Sequence, residues 1–320
     1  MGELMSGIEL DLFLKVRKYS RWAVGVAIVA SFIFAQLIES SDNTWQVAIA
    51  LLALAVGIPH GALDHLVTLP KSSALKMTIF ISIYVAVAIL AVFAILTWNV
   101  AGFIGVVTMS AIHFGIGDAA FISEIDRRSS SPKVFPRYFY AIAAGTLPVI
   151  IPLVSNDSSV ALERVNPELI NWHQGLNAEL FLWTIAMFVV ALLRLLQKRR
   201  LEDALDLSLL YLLAITAPPL VAFGVYFGCW HAMRHTARLT LVLPSSQKAF
   251  VEGKSGSAFL SAIWPGLPAL IGTFIVAGLT IIFRGDSLSD QFLWITLVIV
   301  WALTVPHMAV TARMDRKALS

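Results

Sequence analysis

The sequence predicts an all-α fold, a polytopic bundle of transmembrane helices that forms one domain over residues 1–320. Hydrophobic residues make up 58% of the chain and charged residues only 13%, whereas soluble domains carry about 25% charged residues. The mean hydropathy of +0.81 indicates a chain whose solvent is a lipid bilayer. The apolar residues also occur in runs long enough to cross about 30 Å of hydrocarbon.

Polar breaks divide the chain into about ten candidate spans. The spans cover residues 22–39, 46–68, 77–97, 102–122, 138–154, 179–197, 204–217, 219–241, 258–283 and 290–312. The seventh run is short and is followed by Pro218 and Pro219, so it is either a true span or a half-helix that turns back. A bundle of eight spans, in which this run and one neighbour do not cross, is the alternative.

The basic residues follow the positive-inside rule. With a cytoplasmic N-terminus, the inner loops hold nearly all lysines and arginines, including Lys71 and residues 198–200. The outer loops at 39–42 and 285–291 are acidic or neutral. We therefore expect a multi-pass protein of the cell inner membrane with both termini in the cytoplasm. The net charge of +3 includes no long basic stretch, so no nucleic-acid partner is expected.

Six of the seven histidines fall inside predicted spans. They are His60, His65, His113, His231, His235 and His307. Ionisable side chains at membrane depth are costly and usually functional. All of them except His65 lie about 11–17 residues from the outer end of their spans, which at a rise of about 1.5 Å per residue places them in one layer.

His231 and His235 have the i,i+4 spacing that places two imidazoles on one helix face, where they can chelate an ion. His60 and His113 lie at the same depth and complete a set of four candidate ligands. Neutral imidazoles suit iron, zinc and copper, and a set without thiolate favours Fe(II) with open positions over a closed structural zinc. The alternative is a group of hydrogen-bonded core histidines. The single cysteine excludes iron–sulfur and cysteine-rich zinc sites.

Four further polar residues are candidates for supporting roles around such a site. They are Asp64, Asp118, His65 and His307. Asp64 follows His60 by four residues on the same helix face, and Asp118 follows His113 by five. A carboxylate can accept the free N–H of a ligating histidine and fix its tautomer. Otherwise these aspartates are hydrated residues near helix ends.

Aromatic residues flank the same positions and as a group could line an apolar tunnel for a long, flat ligand. The candidates are Phe114, Tyr226, Phe227, Trp230 and Trp301. Taken singly, each is better explained as a packing or lipid-facing residue.

Four segments in this order resemble a known family. They are Gly-Ile-Pro-His-Gly-Ala-Leu-Asp-His (57–65), His-Phe-Gly-Ile-Gly-Asp (113–118), Cys-Trp-His-Ala-Met-Arg-His (229–235) and Val-Pro-His (305–307). The set is similar to the Brp/Blh family of bacterial and archaeal membrane β-carotene 15,15′-dioxygenases. The resemblance covers roughly residues 46–312 and leaves residues 1–45 as an N-terminal extension with one extra span.

The resemblance implies a catalytic non-haem Fe(II) held by His60, His113, His231 and His235, with O2 as co-substrate. It implies cleavage of all-trans β-carotene, taken from the lipid bilayer, at the central 15,15′ double bond to give two all-trans-retinal. The retinal would then supply a microbial rhodopsin.

Three other classes of protein stay open at this point. Membrane hydroxylases and desaturases of carotenoids or lipids also use histidine-bound iron, but their di-iron sites need more histidines than this chain offers. A proton- or metal-coupled transporter would use the histidines as a relay, and Pro218-Pro219 is the only hint of the broken helix it requires. A rhodopsin or a carotenoid-binding accessory protein would need no catalysis.

Overall fold

The structure is a computed structural model that describes residues 2–37, 44–69, 73–284 and 288–320. Nearly all of these residues are helical and none of them forms a strand, so the all-α prediction is confirmed. The helices are α1 (Gly2–Leu37), α2 (Thr44–Gly57), α3 (Asp64–Thr68), α4 (Ala74–Thr97), α5 (Asn99–Ser129), α6 (Arg137–Val154), α7 (Ser158–Val165), α8 (Asn177–Gln197), α9 (Leu201–Thr216), α10 (Pro219–Val225), α11 (Met233–Leu239), α12 (Pro244–Val251), α13 (Ser255–Ser261), α14 (Leu267–Arg284) and α15 (Leu288–Leu319).

Eight helices within the described residues are long and apolar enough to cross a membrane. They are Met5–Leu37, Thr44–Thr68, Ala74–Thr97, Asn99–Ser129, Arg137–Val154, Asn177–Gln197, Ser255–Phe283 and Gln291–Leu319. These helices correspond to eight of the ten runs in the sequence, and the runs 204–217 and 219–241 are not among them. The alternative count of eight is therefore the one that length and composition support. The loop at 39–42, Lys71 and residues 285–287 lie outside the described residues.

The centre of the bundle depends on glycines that let helix backbones touch. A Cβ atom on Gly115 of α5 would lie 1.9 Å from the carbonyl oxygen of Ala141 on α6. A Cβ atom on Gly145 of α6 would likewise lie 1.9 Å from the carbonyl oxygen of Ala111. Small residues at such crossings allow close packing without a hydrophobic driving force, which lipid does not supply. The α5–α6 pair thereby becomes a rigid support for the helices around it.

The N-terminal helix α1 is joined to the rest of the protein by buried ion pairs. Arg17 donates to Asp203 at 2.6 Å and to Asp206 at 3.0 Å, and both aspartates lie on α9. Arg21 also pairs with Glu202, at 2.7 Å. The segment predicted as an N-terminal extension thus packs on the core, and its division from the core at residue 45 stays a prediction.

Candidate metal centre

Five imidazoles from separate elements meet in the interior of the bundle. The ring centre of His60 lies 5.5 Å from that of His231, 5.2 Å from that of His235 and 5.3 Å from that of His307. The ring centre of His113 lies 4.9 Å from that of His231 and 5.1 Å from that of His307. All five side chains are buried. The structure therefore brings the four predicted ligands together, and it adds His307 to them.

Several ring nitrogens in this cluster have no hydrogen-bond partner in the described part of the chain. Both nitrogens of His235 and the Nε2 atoms of His231 and His307 are buried and unpaired. Leaving a buried polar atom unpaired costs about 1–3 kcal/mol of folding free energy, and four such nitrogens lie together in this cluster. The Nδ1 of His60 donates to the carbonyl oxygen of Gly57, which leaves its Nε2 as the atom with a free lone pair.

These features fit a transition-metal ion. Two imidazoles that bind one ion through nitrogens at about 2.1 Å have ring centres roughly 4.5–6.5 Å apart. The separations within the cluster, 4.9 to 6.3 Å, fall in that range. No group of three or more His, Cys, Asp or Glu side chains among the described residues already has its ligand atoms arranged to hold an ion. The ring positions and the unpaired nitrogens therefore fit a bound ion, but the nitrogens do not yet lie at bonding distance from one common point.

A short π-helical turn at Tyr226–Ala232, between α10 and α11, carries His231. Such turns insert one extra residue into a helix and are frequent at functional sites. The turn packs directly on α2, because a Cβ atom on Gly228 would lie 2.5 Å from the carbonyl oxygen of Ala53. This close approach brings the helix with His231 and His235 against the segment that carries His60.

Asp64 differs from its expected position beside His60. The chain from Ile58 to Leu63 is a 3₁₀ helix that includes Pro59. Four residues turn through roughly 120° beyond a full circle in a 3₁₀ helix, against about 40° in an α-helix, so Asp64 leaves the face of His60. Its carboxylate instead accepts from the Nδ1 of His307 at 2.9 Å and from the hydroxyl of Tyr84 at 2.8 Å. The Nδ1 of His65 donates to the carbonyl oxygen of Ala62. His65 lines the apolar cavity that reaches the cluster, but among the described residues its ring is in contact with none of the five clustered rings.

Asp118 also differs from its expected role, because it forms no hydrogen bond to a histidine within the described residues. It accepts from Arg234 at 2.8 Å, from Tyr140 at 2.7 Å and from Trp230 at 3.2 Å. Five residues turn an α-helix through about 140° beyond a full circle, which directs Asp118 away from His113.

Arg234 is a residue that the sequence analysis missed. Its guanidinium joins Asp118 to Asp206 of α9, at 2.8 and 3.2 Å, and its side chain is fully buried. An arginine between two histidines in an apolar segment was the available signal, because such a charge needs a carboxylate partner. Tyr84, which donates to Asp64, was also not predicted, and the sequence contains no comparable signal for it.

An apolar cavity of about 350 Å³ reaches the histidine cluster. Its wall includes His60, His113, His231 and His307. Ile81 and Val85 of α4 also line it and are nearly half exposed, at 45% and 47%, so the cavity extends to the outer surface of the bundle. Ala269 and Thr273 of α14 line its other side, and both α4 and α14 pack on α15.

The predicted tunnel aromatics divide into three groups. Phe114 and Phe227 line this cavity, and the ring centre of Phe114 lies 4.5 Å from that of His231. Trp301 lines a second, smaller apolar cavity of about 70 Å³. Tyr226 and Trp230, both within the described residues, line neither of these two cavities. Trp230 instead packs under the guanidinium of Arg234, 3.5 Å from its ring centre.

The fold and the site together define a multi-pass helical membrane protein with a histidine cluster open to an apolar cavity. Residues 51–315 match the family described as beta-carotene 15,15′-dioxygenase, and the chain belongs to that family. The prediction of an oxidoreductase of the dioxygenase class is confirmed at this level.

Two relatives cover most of the chain. The probable beta-carotene 15,15′-dioxygenase Blh of Halobacterium salinarum is 25% identical in an alignment 288 positions long, which covers 82% of each chain. The beta-carotene 15,15′-dioxygenase of uncultured marine bacterium 66A03 is 26% identical in an alignment 268 positions long, which covers 80% of this chain and 89% of the relative. No solved structure matches the chain.

Proposed function

We propose that the protein cleaves all-trans β-carotene at its central 15,15′ double bond with O2 and releases two all-trans-retinal. One oxygen atom enters each aldehyde, so the reaction balances without a further reductant. We propose a non-haem Fe(II) centre held by His60, His113, His231 and His235. Membership of the family supports the reaction class, and the two relatives carry names for this reaction.

One observation carries the proposal at the level of the site. Unpaired ring nitrogens of His231 and His235 lie in a cluster whose members form part of the wall of an apolar cavity. β-Carotene has no polar atom, so it partitions into lipid and has to be recognised by shape. A cavity that reaches the lipid-facing surface between α4 and α14 would admit it without exposing apolar surface to water.

The protein residues would supply orientation and exclusion of water. Fe(II), when bound, supplies the activation of O2 that side chains cannot provide. The carbonyl group of Gly57 fixes the ring of His60, so that its Nε2 faces the cluster. Phe114 and Phe227 would hold the polyene by packing against its flat faces. Modest rotations of the imidazoles would direct their nitrogens to one point.

The membrane position follows the distribution of charge. We propose that the protein lies in the cell inner membrane with both termini in the cytoplasm, because basic residues concentrate in one set of loops. Retinal released into the same bilayer would be available to a microbial rhodopsin.

Expression in β-carotene-producing bacteria tests the reaction. We expect loss of the yellow colour and the appearance of retinal by liquid chromatography, both abolished by His231→Ala. The variant His173→Ala, which alters a histidine between α7 and α8, is the control and should retain activity. Persistent β-carotene with normal membrane expression and iron supply would exclude the proposal. Two irons per purified chain would instead indicate a hydroxylase or desaturase.

A further inference from the structure

His307 lies within the histidine cluster although it comes from a different helix, α15. Its ring centre is 5.3 Å from that of His60, 5.1 Å from that of His113 and 5.2 Å from that of His235. It is 4% exposed, as deeply buried as the four predicted ligands. In position and burial, His307 is therefore equivalent to the four predicted ligands.

The hydrogen bond that Nδ1 of His307 makes determines whether Nε2 of the same ring carries a proton or a free lone pair. Nδ1 lies 2.9 Å from both oxygens of the Asp64 carboxylate. A carboxylate only accepts hydrogen bonds, so the proton must be on Nδ1, and Nε2 of the neutral ring carries a free lone pair. That Nε2 is buried and has no partner within the described residues.

Asp64 is itself held in place. The hydroxyl of Tyr84 on α4 donates to it at 2.8 Å, and its side chain is buried. Within the described residues, no lysine or arginine forms an ion pair with Asp64. A buried carboxylate without a cation is costly. A divalent ion on the far side of the His307 ring would supply the missing positive charge.

We propose that His307 is a fifth imidazole ligand of the metal centre and that Asp64 and Tyr84 orient it. The inference rests on the metal site of the proposed function. Carboxylate–histidine–metal chains of this kind fix the tautomer of the ligand and raise its basicity. Five imidazoles leave one open position on a six-coordinate ion. A packing histidine or a proton relay would need a partner for Nε2, and none is present among the described residues.

Metal binding by purified full-length variants tests the assignment without relying on turnover. The variants are His307→Gln, Asp64→Asn and Tyr84→Phe, with His65→Gln as the matched control, because His65 is in the same segment as Asp64 but outside the ring cluster. Each is titrated with Co²⁺ after removal of bound metal. We expect affinity to fall about 10- to 100-fold for Asp64→Asn, more for His307→Gln, less for Tyr84→Phe, and not at all for His65→Gln.

The visible spectrum of bound Co²⁺ is a second measurement, which reports the number of ligands around the ion. Co²⁺ absorbs weakly with five or six ligands and strongly with four, so we expect weak absorption that becomes stronger per ion in His307→Gln. If His307→Gln does not fold, the Co²⁺ affinity of Asp64→Asn still tests the assignment, and a strong spectrum of the parent protein still contradicts it. Strong four-coordinate absorption by the parent protein, or unchanged affinity in both His307→Gln and Asp64→Asn, would overturn the assignment.

The outcomes separate this inference from the proposed reaction. A parent protein that cleaves β-carotene while His307→Gln keeps the parental Co²⁺ affinity and spectrum contradicts the inference alone. A parent protein that binds Co²⁺ with the expected dependence on His307 and Asp64 but does not cleave β-carotene contradicts the reaction alone. A folded parent protein that binds neither Co²⁺ nor Fe²⁺ contradicts both.

Discussion

Arg234 shows how a single buried charge can organise the region next to the histidine cluster. It lies between Asp118 of α5 and Asp206 of α9, and its side chain is 1% exposed. The guanidinium also lies over the ring of Trp230, next in sequence to His231. Two nitrogens of this planar guanidinium donate to two different carboxylates, a fixed fork of donors that the single ammonium group of lysine does not reproduce. The position of Arg234 therefore couples the histidine-bearing helix to two of its neighbours.

Removing this charge should destabilise the protein strongly. Arg234→Met leaves Asp118 buried without its cation, whereas Asp206 keeps Arg17 and Arg21 as partners, and we expect a loss of about 3–5 kcal/mol. Arg234→Lys should recover part of that loss. Thermal unfolding in detergent measures both, with the surface variant Arg194→Met on α8 as the control. A melting temperature of Arg234→Met equal to that of the parent would show that the ion pairs contribute nothing to stability.

The histidines of the cluster could be singled out from the sequence because their signals lie either in local spacing or in a depth that several residues share. The i,i+4 spacing of His231 and His235 and the common depth of His60 and His113 both survive in the structure. The partner of Asp64 was not predictable, because the 3₁₀ geometry around Pro59 replaces the α-helical spacing that the pattern assumed. His307 had the right depth, but nothing in the sequence indicated that Asp64 would face it from another helix.

At the scale of helices and turns, the contact between the π turn and α2 holds His231 close to His60. The π turn, Tyr226–Ala232, gives no periodic signal in the sequence, because the apolar residues around it are continuous. Its cause is visible only in the packing, where Gly228 touches the backbone of Ala53. The spans themselves were predictable because each needs only an uninterrupted apolar run.

A single methyl group at this contact should displace the ligands. In Gly228→Ala the new Cβ would lie 2.5 Å from a backbone oxygen, so α2 and the π turn must separate. We expect lower stability and reduced metal content, because His60 moves away from His231. Gly272→Ala on α14 is the matched control, since its Cβ would meet no atom within 4 Å. That variant should gain about 0.5–1 kcal/mol from helix propensity. Equal metal content in the two variants would contradict the prediction.

Helix α1 should contribute to stability through its ion pairs and not only through its apolar surface. Arg17 and Asp203 are both nearly buried and lie 2.6 Å apart. In a double-mutant cycle with Arg17→Met and Asp203→Asn, we expect a coupling energy of about 1–3 kcal/mol. The exposed pair Lys15–Asp11, at 2.7 Å, should show a coupling below about 1 kcal/mol. Chemical unfolding in detergent measures both cycles, and equal couplings would exclude a special role for the α1–α9 pair.

At the scale of the whole molecule, the cavity joins the surface of the bundle to the buried histidine cluster. Helices α4 and α14 stand on either side of it and share α15 as their support. The sequence predicted a tunnel from aromatics near the histidines, and only Phe114 and Phe227 line this cavity. The wall also includes Phe80 and Tyr84, which were not predicted, and aliphatic residues such as Ile81, Val85 and Leu303. Aliphatic residues at helix surfaces give no sequence signal that distinguishes a cavity from lipid contact. Which helices leave a gap is decided by tertiary packing alone.

Narrowing the gap between α4 and α14 should impede the substrate without disturbing the metal centre. Val85 lines the cavity and is 47% exposed, so the indole of Val85→Trp would fill the opening. We expect kcat/KM for β-carotene to fall by about tenfold, a loss of roughly 1.4 kcal/mol, with metal content unchanged. Ile89→Trp is the matched control, because Ile89 lies one turn further along α4, is 63% exposed and does not line the cavity. If both variants lost activity equally, the effect would come from α4 as a whole; if neither did, β-carotene would have to enter by another route.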